Sequence, residues 1–140
     1  MNMRPLSSAM LALSGTMLML LGFYFIFMRP ALLPEDARYM GQGLSAVQSA
    51  LPGLTRWLSR VFWVMGGYIF STGLLTTHVA RTSFRARARG AWIVVAIAGV
   101  TSIGMMSVVN FIIDSDFKWV ILLLAVPWVA ALILYRLERA

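Results

Sequence analysis

Residues 90–113 read GAWIVVAIAGVTSIGMMSVVNFII, 24 positions without a charged side chain, and they follow directly on the basic run RTSFRARAR at 81–89. A helix rises about 1.5 Å per residue and needs roughly 20 residues to cross a hydrocarbon core of about 30 Å. The run therefore predicts one transmembrane helix with an arginine anchor at its start. Three further runs read the same way: PLSSAMLALSGTMLMLLGFYFIFM (5–28), VFWVMGGYIFSTGLLTTHVA (61–80) and WVILLLAVPWVAALILY (119–135). The last is short, but Lys118 and Arg136 lengthen it by laying their aliphatic stems along the helix while their charges stay at the interfaces. Spans at about 6–28, 60–80, 90–113 and 118–136 predict a single all-α membrane domain over 1–140, a bundle of four transmembrane helices with the loop 29–59 outside it.

Composition leads to the same class. With 60% hydrophobic and 12% charged residues and a mean hydropathy of +0.81, the chain is too apolar to clothe itself in a soluble surface. The first run exceeds the apolar stretch of about 7 to 15 residues found in a signal peptide and has no small-residue cleavage site before Arg29-Pro30, so a retained helix is expected. Cysteine is absent, which excludes disulfides, thiolate chemistry and cysteine lipidation. A net charge of +7 would suggest nucleic acid in a soluble protein. Here the basic residues flank apolar spans, so the expected partner is a bilayer with anionic headgroups, and no nucleic acid.

Four spans put the N-terminus, the middle loop and the C-terminus on one side. That side carries Arg4, Arg81, Arg85, Arg87, Arg89, Arg136 and Arg139 with Glu138 as its one acid. The positive-inside rule makes it cytoplasmic, and a bacterial inner membrane with both termini inside is the expected location. Glu35, Asp36, Asp114 and Asp116 then fall at the outer end, in the first and third loops. Within the first loop, LPEDARYMG (33–41) predicts a short helix. Pro34 suits the first helical position, Glu35 and Asp36 suit the first turn, and Gly41 or Gly43 suits the end. Leu44, Val47, Leu51, Leu54 and Leu58 recur at helical spacing and predict an amphipathic segment that Pro52-Gly53 breaks before the second span.

Chemistry has few candidates. Glu35, Asp36, Asp114 and Asp116 supply hard-cation oxygens if the outer loops converge, but the spacing matches no calcium loop. Arg38 and Lys118 offer ion pairs that require no metal, and an outer polar cluster of these six residues is expected. Adjacent Glu35 and Asp36 project about 100° apart on a helix and form no acid–base dyad. His78, the sole histidine, suits an interfacial hydrogen bonder at a helix C-terminus better than a ligand. GQGLSA (41–46) lacks the third glycine and the strand setting of a dinucleotide site. In length and span count the chain is similar to the small multidrug transporters. Their acidic residue in the first span has no counterpart among Ser7, Ser8, Ser14, Thr16 and Tyr24, so nothing of that family's function is carried over.

Small residues are the clearer signal. Gly15 and Gly22 lie one heptad apart, Gly67 and Ser71 and Ala98 and Ser102 form small-xxx-small pairs, and Gly66, Gly73, Gly99 and Gly104 thin the helices further. Such residues let helix backbones approach where hydrophobic burial cannot drive association. Pro127 predicts a kink, and Asn110 a bond across helices. Trp57, Trp63 and Trp119 at one end, with Trp92 and Tyr135 at the other, fit the two aromatic belts, whereas Trp128 is too deep for either. Arg81, Arg85, Arg87 and Arg89 are expected to contact anionic lipid.

The functional expectation is a non-catalytic accessory or scaffolding subunit that meets other membrane proteins or its own copies, with no cofactor. The alternative is a small carrier or channel for an apolar or neutral solute, near Pro127, Tyr68, Thr72 and Asn110. A membrane enzyme acting on lipid or quinone with Glu35, Asp36 and Asp114 comes third.

Overall fold

The computed structural model describes residues 5–138, so Arg4 and Arg139 lie outside the described residues. Within them the protein is all helix, with no strand. Helix α1 spans Leu6–Phe27. Two short helices follow, α2 at Pro34–Tyr39 and α3 at Leu44–Ala50. Helix α4, Leu54–Val79, runs without interruption into a π-helical turn at Ala80–Phe84. The third rod is α5, Ala91–Gly99, joined through a second π turn, Val100–Gly104, to α6, Met105–Ile112. Helix α7 spans Lys118–Leu137. Four of these rods are long and apolar enough to cross a membrane.

The second rod is longer than the expected 60–80, reaching 31 residues over Leu54–Phe84. The Pro52-Gly53 break does its work upstream of Leu54, and nothing between Leu54 and Arg60 interrupts a helix. Leu54 and Leu58 instead pack with Leu32, Ala37 and Val47 in a small core that ties the first loop to the base of α4.

Loop ends are closed by backbone bonds. After α2, Gly41 N–H donates to Arg38 C=O (3.0 Å) and Gln42 N–H to Ala37 C=O (3.1 Å), a Schellman closure with Gly41 at φ +71°. The same closure follows the first π turn, with Arg87 at φ 53°, and follows α6, with Asp114 at φ 50°. Neither is glycine, and both are held by side-chain bonds described below. Asp36 caps the other end of α2, where its Oδ2 accepts the Leu33 N–H at 2.8 Å.

Helix α1 is central. It pairs along its length with α4 on one side and with α7 on the other, and α7 carries the α5–α6 rod. A Cβ built at Gly22 would lie 2.5 Å from Phe70 N, and one at Gly73 2.5 Å from Gly15 C=O. The heptad pair Gly15 and Gly22 therefore meets the heptad pair Gly66 and Gly73 at backbone distance. Between α7 and α5 two indoles act reciprocally: Trp128 Nε1–H donates to Val95 C=O at 3.0 Å, and Trp92 Nε1–H donates to Leu132 C=O at 3.1 Å. Trp128 is buried against Gly99, where any Cβ would collide with its ring. Pro127 thus precedes a fitted interhelical contact. Trp92 and Tyr135 at the other end turn inward: Trp92 is half-buried, and Tyr135 is buried against Phe84 with ring centroids 4.4 Å apart.

Candidate functional site

Packing around α1 leaves α4 and α6 spread apart. At one end α5 meets the π turn that follows α4; toward the other the two rods diverge around a cavity of about 1000 Å³. Its walls are Val61, Met65 and Tyr68 on α4 and Met106, Val109 and Ile113 on the third rod. Leu21 and Phe25 of α1 with Ile121 and Leu124 of α7 form its back. It ends at depth on Leu18, Thr72 and Ser102, and at the loop end on Arg29, Glu35, Asp36 and Ser115.

Four polar side chains in this groove are turned onto their own helices. Thr72 Oγ1 donates to Tyr68 C=O, Thr101 Oγ1 to Ile97 C=O, Ser102 Oγ to Ala98 C=O and Asn110 Nδ2 to Met106 C=O, all at 2.5–2.9 Å. Back-bonding of this kind uses the donor locally and leaves an apolar face. Asn110 therefore makes no bond across helices through its donor. Tyr68, Thr72 and Asn110 do line one space, as the solute alternative expects, but Pro127 does not border it. The wall chemistry suits hydrocarbon, not a file of water.

The loop end is different. Glu35 is only 2% exposed, and its Oε1 accepts one bond, from Ser115 Oγ at 3.3 Å. Arg29 lies beside it with its side chain 11% exposed. Its guanidinium sits 3.5 Å from the Phe62 ring centroid, donates to Pro30 C=O at 2.9 Å and lies 3.6 Å from Asp36. Burial pushes the Arg29 pKa down, against the opposing pull of Asp36, Tyr24 and Glu35; an arginine keeps its charge even so.

The two outer loops do meet. Arg38 bonds Asp116 at 2.9 Å and the Asp114 carbonyl at 3.0 Å, and Lys118 pairs with Asp114 one turn away. The Asp116 hydrogen bond and charge raise the Arg38 pKa, and the Lys118 hydrogen bond and charge lower that of Asp114. All six residues of the expected cluster lie at this end, but its carboxylates divide among separate partners. Among the described residues no three acids or histidines converge on a point where an ion would sit. Asp114 pairs with Lys118 and lines no part of the groove.

At the opposite end Glu138 gathers three segments. Its Oε1 accepts the Ser7 N–H at 3.0 Å, and its Oε2 accepts the Ser7 hydroxyl at 2.6 Å and Arg87 at 2.9 Å. Arg87 also donates to Tyr135 C=O at 2.9 Å. It is therefore bound to protein, a use different from the lipid contact expected of it. Arg81 and Arg85 are exposed and border a smaller cleft of about 540 Å³ with Ser8, Ala9 and Ala12; Arg89 and His78 are exposed. Of the packing candidates, Gly15 and Gly22 are in the α1–α4 seam. Gly67 faces open space and Ser71 is exposed, while Ala98 and Ser102 are bonded to each other within the third rod.

Arg29, Phe62 and Ser115 were not singled out in the sequence. Arg29 marked only the end of a span, and Ser115 stood between the two aspartates that drew attention. The signal for Arg29 was its place directly after an apolar run and before Pro30, where a charge has little room to leave the interface.

Fold and groove together define a multi-pass, all-helical membrane protein with a side-opening apolar recess. No protein-family model matches the chain, and no significant match was found among curated proteins or solved structures.

Proposed function

We propose that this protein holds an amphiphile of one membrane leaflet in the groove between α4 and α6, as a non-catalytic lipid-binding or carrier protein. One observation carries the reading: the groove's depth. From Val61 to Thr72 on α4, and from Thr101 to Ile113 on the third rod, the lining covers 11 to 12 residue steps, or about 17 Å at 1.5 Å each. Half of a hydrocarbon core of about 30 Å is about 15 Å. A recess that stops near mid-membrane fits a lipid whose chains end there, whereas a partner's transmembrane helix would run past its floor.

The arginines at 81, 85, 89 and 136 support a cytoplasmic placement of the Glu138 end. In a bacterial inner membrane the groove then serves the outer leaflet. Arg81 and Arg85 beside the smaller cleft favour anionic headgroups on the inner one.

The test is lipid retention. Protein purified in a mild detergent should carry copurifying lipid, and a photoreactive lipid analogue should label peptides of α4 and α6. Val109→Trp fills the groove from a side chain that is 46% exposed, so it should cut labelling several-fold without unfolding the protein. Equal labelling of both proteins overturns the reading.

A second reading, an accessory subunit bound to another membrane protein, keeps one observation. Gly67 faces open space beside the exposed Ser71 on a side of α4 that borders neither α1 nor the groove. A stoichiometric partner in a gentle-detergent pull-down, lost in Gly67→Leu, would support it; recovery of the chain alone would sink it.

A further inference from the structure

We infer that Glu35 is the headgroup reader of the groove, selecting amphiphiles that present a primary ammonium, an aminophospholipid above all. This rests on the groove being a lipid site.

Glu35 is almost wholly buried, yet it borders the cavity at the loop end, where a headgroup would lie. A buried carboxylate is stable when a cation and several donors surround it. Among the described residues Glu35 has little of either: its bond is the single long one from Ser115 Oγ, and the Arg29 charge acts on it only from beyond ion-pair distance. Nearby cations are paired elsewhere, Arg29 with Asp36, Arg38 with Asp116 and Lys118 with Asp114. Asp36 is also in use, by the Leu33 N–H and by Arg29. Glu35 is thus the acid on this rim with acceptor capacity left over, and it borders an apolar cavity of lipid size.

A primary ammonium supplies the positive charge and three N–H donors that this carboxylate lacks. Arg29 on the same rim is the cationic complement to the phosphodiester that an aminophospholipid carries next to its ammonium. A glycerol headgroup offers hydroxyl donors but no positive charge. A trimethylammonium offers charge but no N–H. The site is built for both at once.

The experiment is competition for the purified protein in detergent, read by native mass spectrometry, between lipids with the same acyl chains. Phosphatidylethanolamine is set against its N-acetylated derivative, phosphatidylcholine and phosphatidylglycerol. Charge-assisted hydrogen bonding corresponds to a preference of about tenfold for phosphatidylethanolamine. Glu35→Gln should reduce its retention to the level of the N-acetylated lipid and should not lower that of phosphatidylglycerol. The wild-type series needs no variant, so it decides the matter even if Glu35→Gln does not fold. Equal retention of all four lipids, with all lowered by Val109→Trp, overturns the role of Glu35 and leaves the groove standing. Lipid retention that Val109→Trp does not alter overturns both.

Discussion

Helix α4 has two long flanks, and they are built in opposite ways. Toward α1 it presents Gly66 and Gly73, and the two backbones touch. Toward α6 it presents Val61, Met65 and Tyr68, and the two rods stand apart around about 1000 Å³. In a bilayer, exposing an apolar face costs little because the surrounding chains are as apolar as leucine, so helices associate where shape permits close contact. The same helix is thus closed where its side chains vanish and open where they are bulky. That difference fixes α4 to α1 and leaves the groove.

The largest loss of stability is expected at the closed flank. Gly73→Val adds atoms where even a Cβ would lie 2.5 Å from Gly15 C=O and 2.6 Å from Met19 N. Backbone cannot retreat as a flexible side chain can, so a loss of about 3 kcal/mol or more is expected, measured as denaturant-induced unfolding in mixed micelles. Gly67→Ala is the control. Its Cβ meets nothing within 4 Å, and it should not destabilise the protein, with a gain of up to about 1 kcal/mol from the stiffer backbone. If both variants were tolerated equally, the glycine seam would not hold α4 to α1.

Much of this was legible in the sequence, and the failures were informative. The four rods follow from apolar runs longer than a bilayer is thick, and Gly15 with Gly22 pointed to the seam. On α4 the small-xxx-small pattern drew attention to Gly67 and Ser71, but the residues in contact are Gly66 and Gly73. One position on a helix is a turn of about 100°, so Gly67 and Ser71 fall on a different face from the seam. The loop end was half legible. Pro34, Glu35, Asp36 and Gly41 predicted α2 and its caps, but which acid would remain without a cation depended on where Arg38 and Lys118 reached across space. The groove left only the trace of Tyr68, Thr72 and Asn110, because the rest of its walls are ordinary apolar residues.

An intermediate effect is expected at the α5–α7 contact, which supports the far wall of the groove. The Val95 carbonyl accepts the Trp128 indole one turn before the π turn at Val100–Gly104. Trp128→Phe keeps most of the ring and removes a buried interhelical hydrogen bond, at a cost of about 1 kcal/mol. Trp92→Phe at the half-buried Leu132 carbonyl should cost less. Equal losses would mean that ring volume, and not the Val95 bond, sets the contact.

The smallest effect lies farthest from the groove, where Glu138 draws together α1, the middle loop and α7. Burial pushes its carboxyl pKa up, but the Ser7 hydroxyl and N–H and the Arg87 charge outweigh this, and the result is below the ordinary 4.5. A depressed folded-state value means that the unfolded chain takes up the proton first as pH falls. The stabilisation is therefore complete above about pH 4.5 and is lost as pH falls through the lower folded value. Protonation takes negative charge from the oxygens that accept Ser7 N–H, Ser7 Oγ and Arg87, so the first turn of α1 should fray while the glycine seam stays closed. Hydrogen exchange at the Ser7 amide, corrected for the intrinsic pH dependence of exchange, should accelerate below that range in the native protein. In Glu138→Gln it should be faster at neutral pH and insensitive to acid. The same acid response in both proteins would place the proton uptake on another group and remove Glu138 from the clasp.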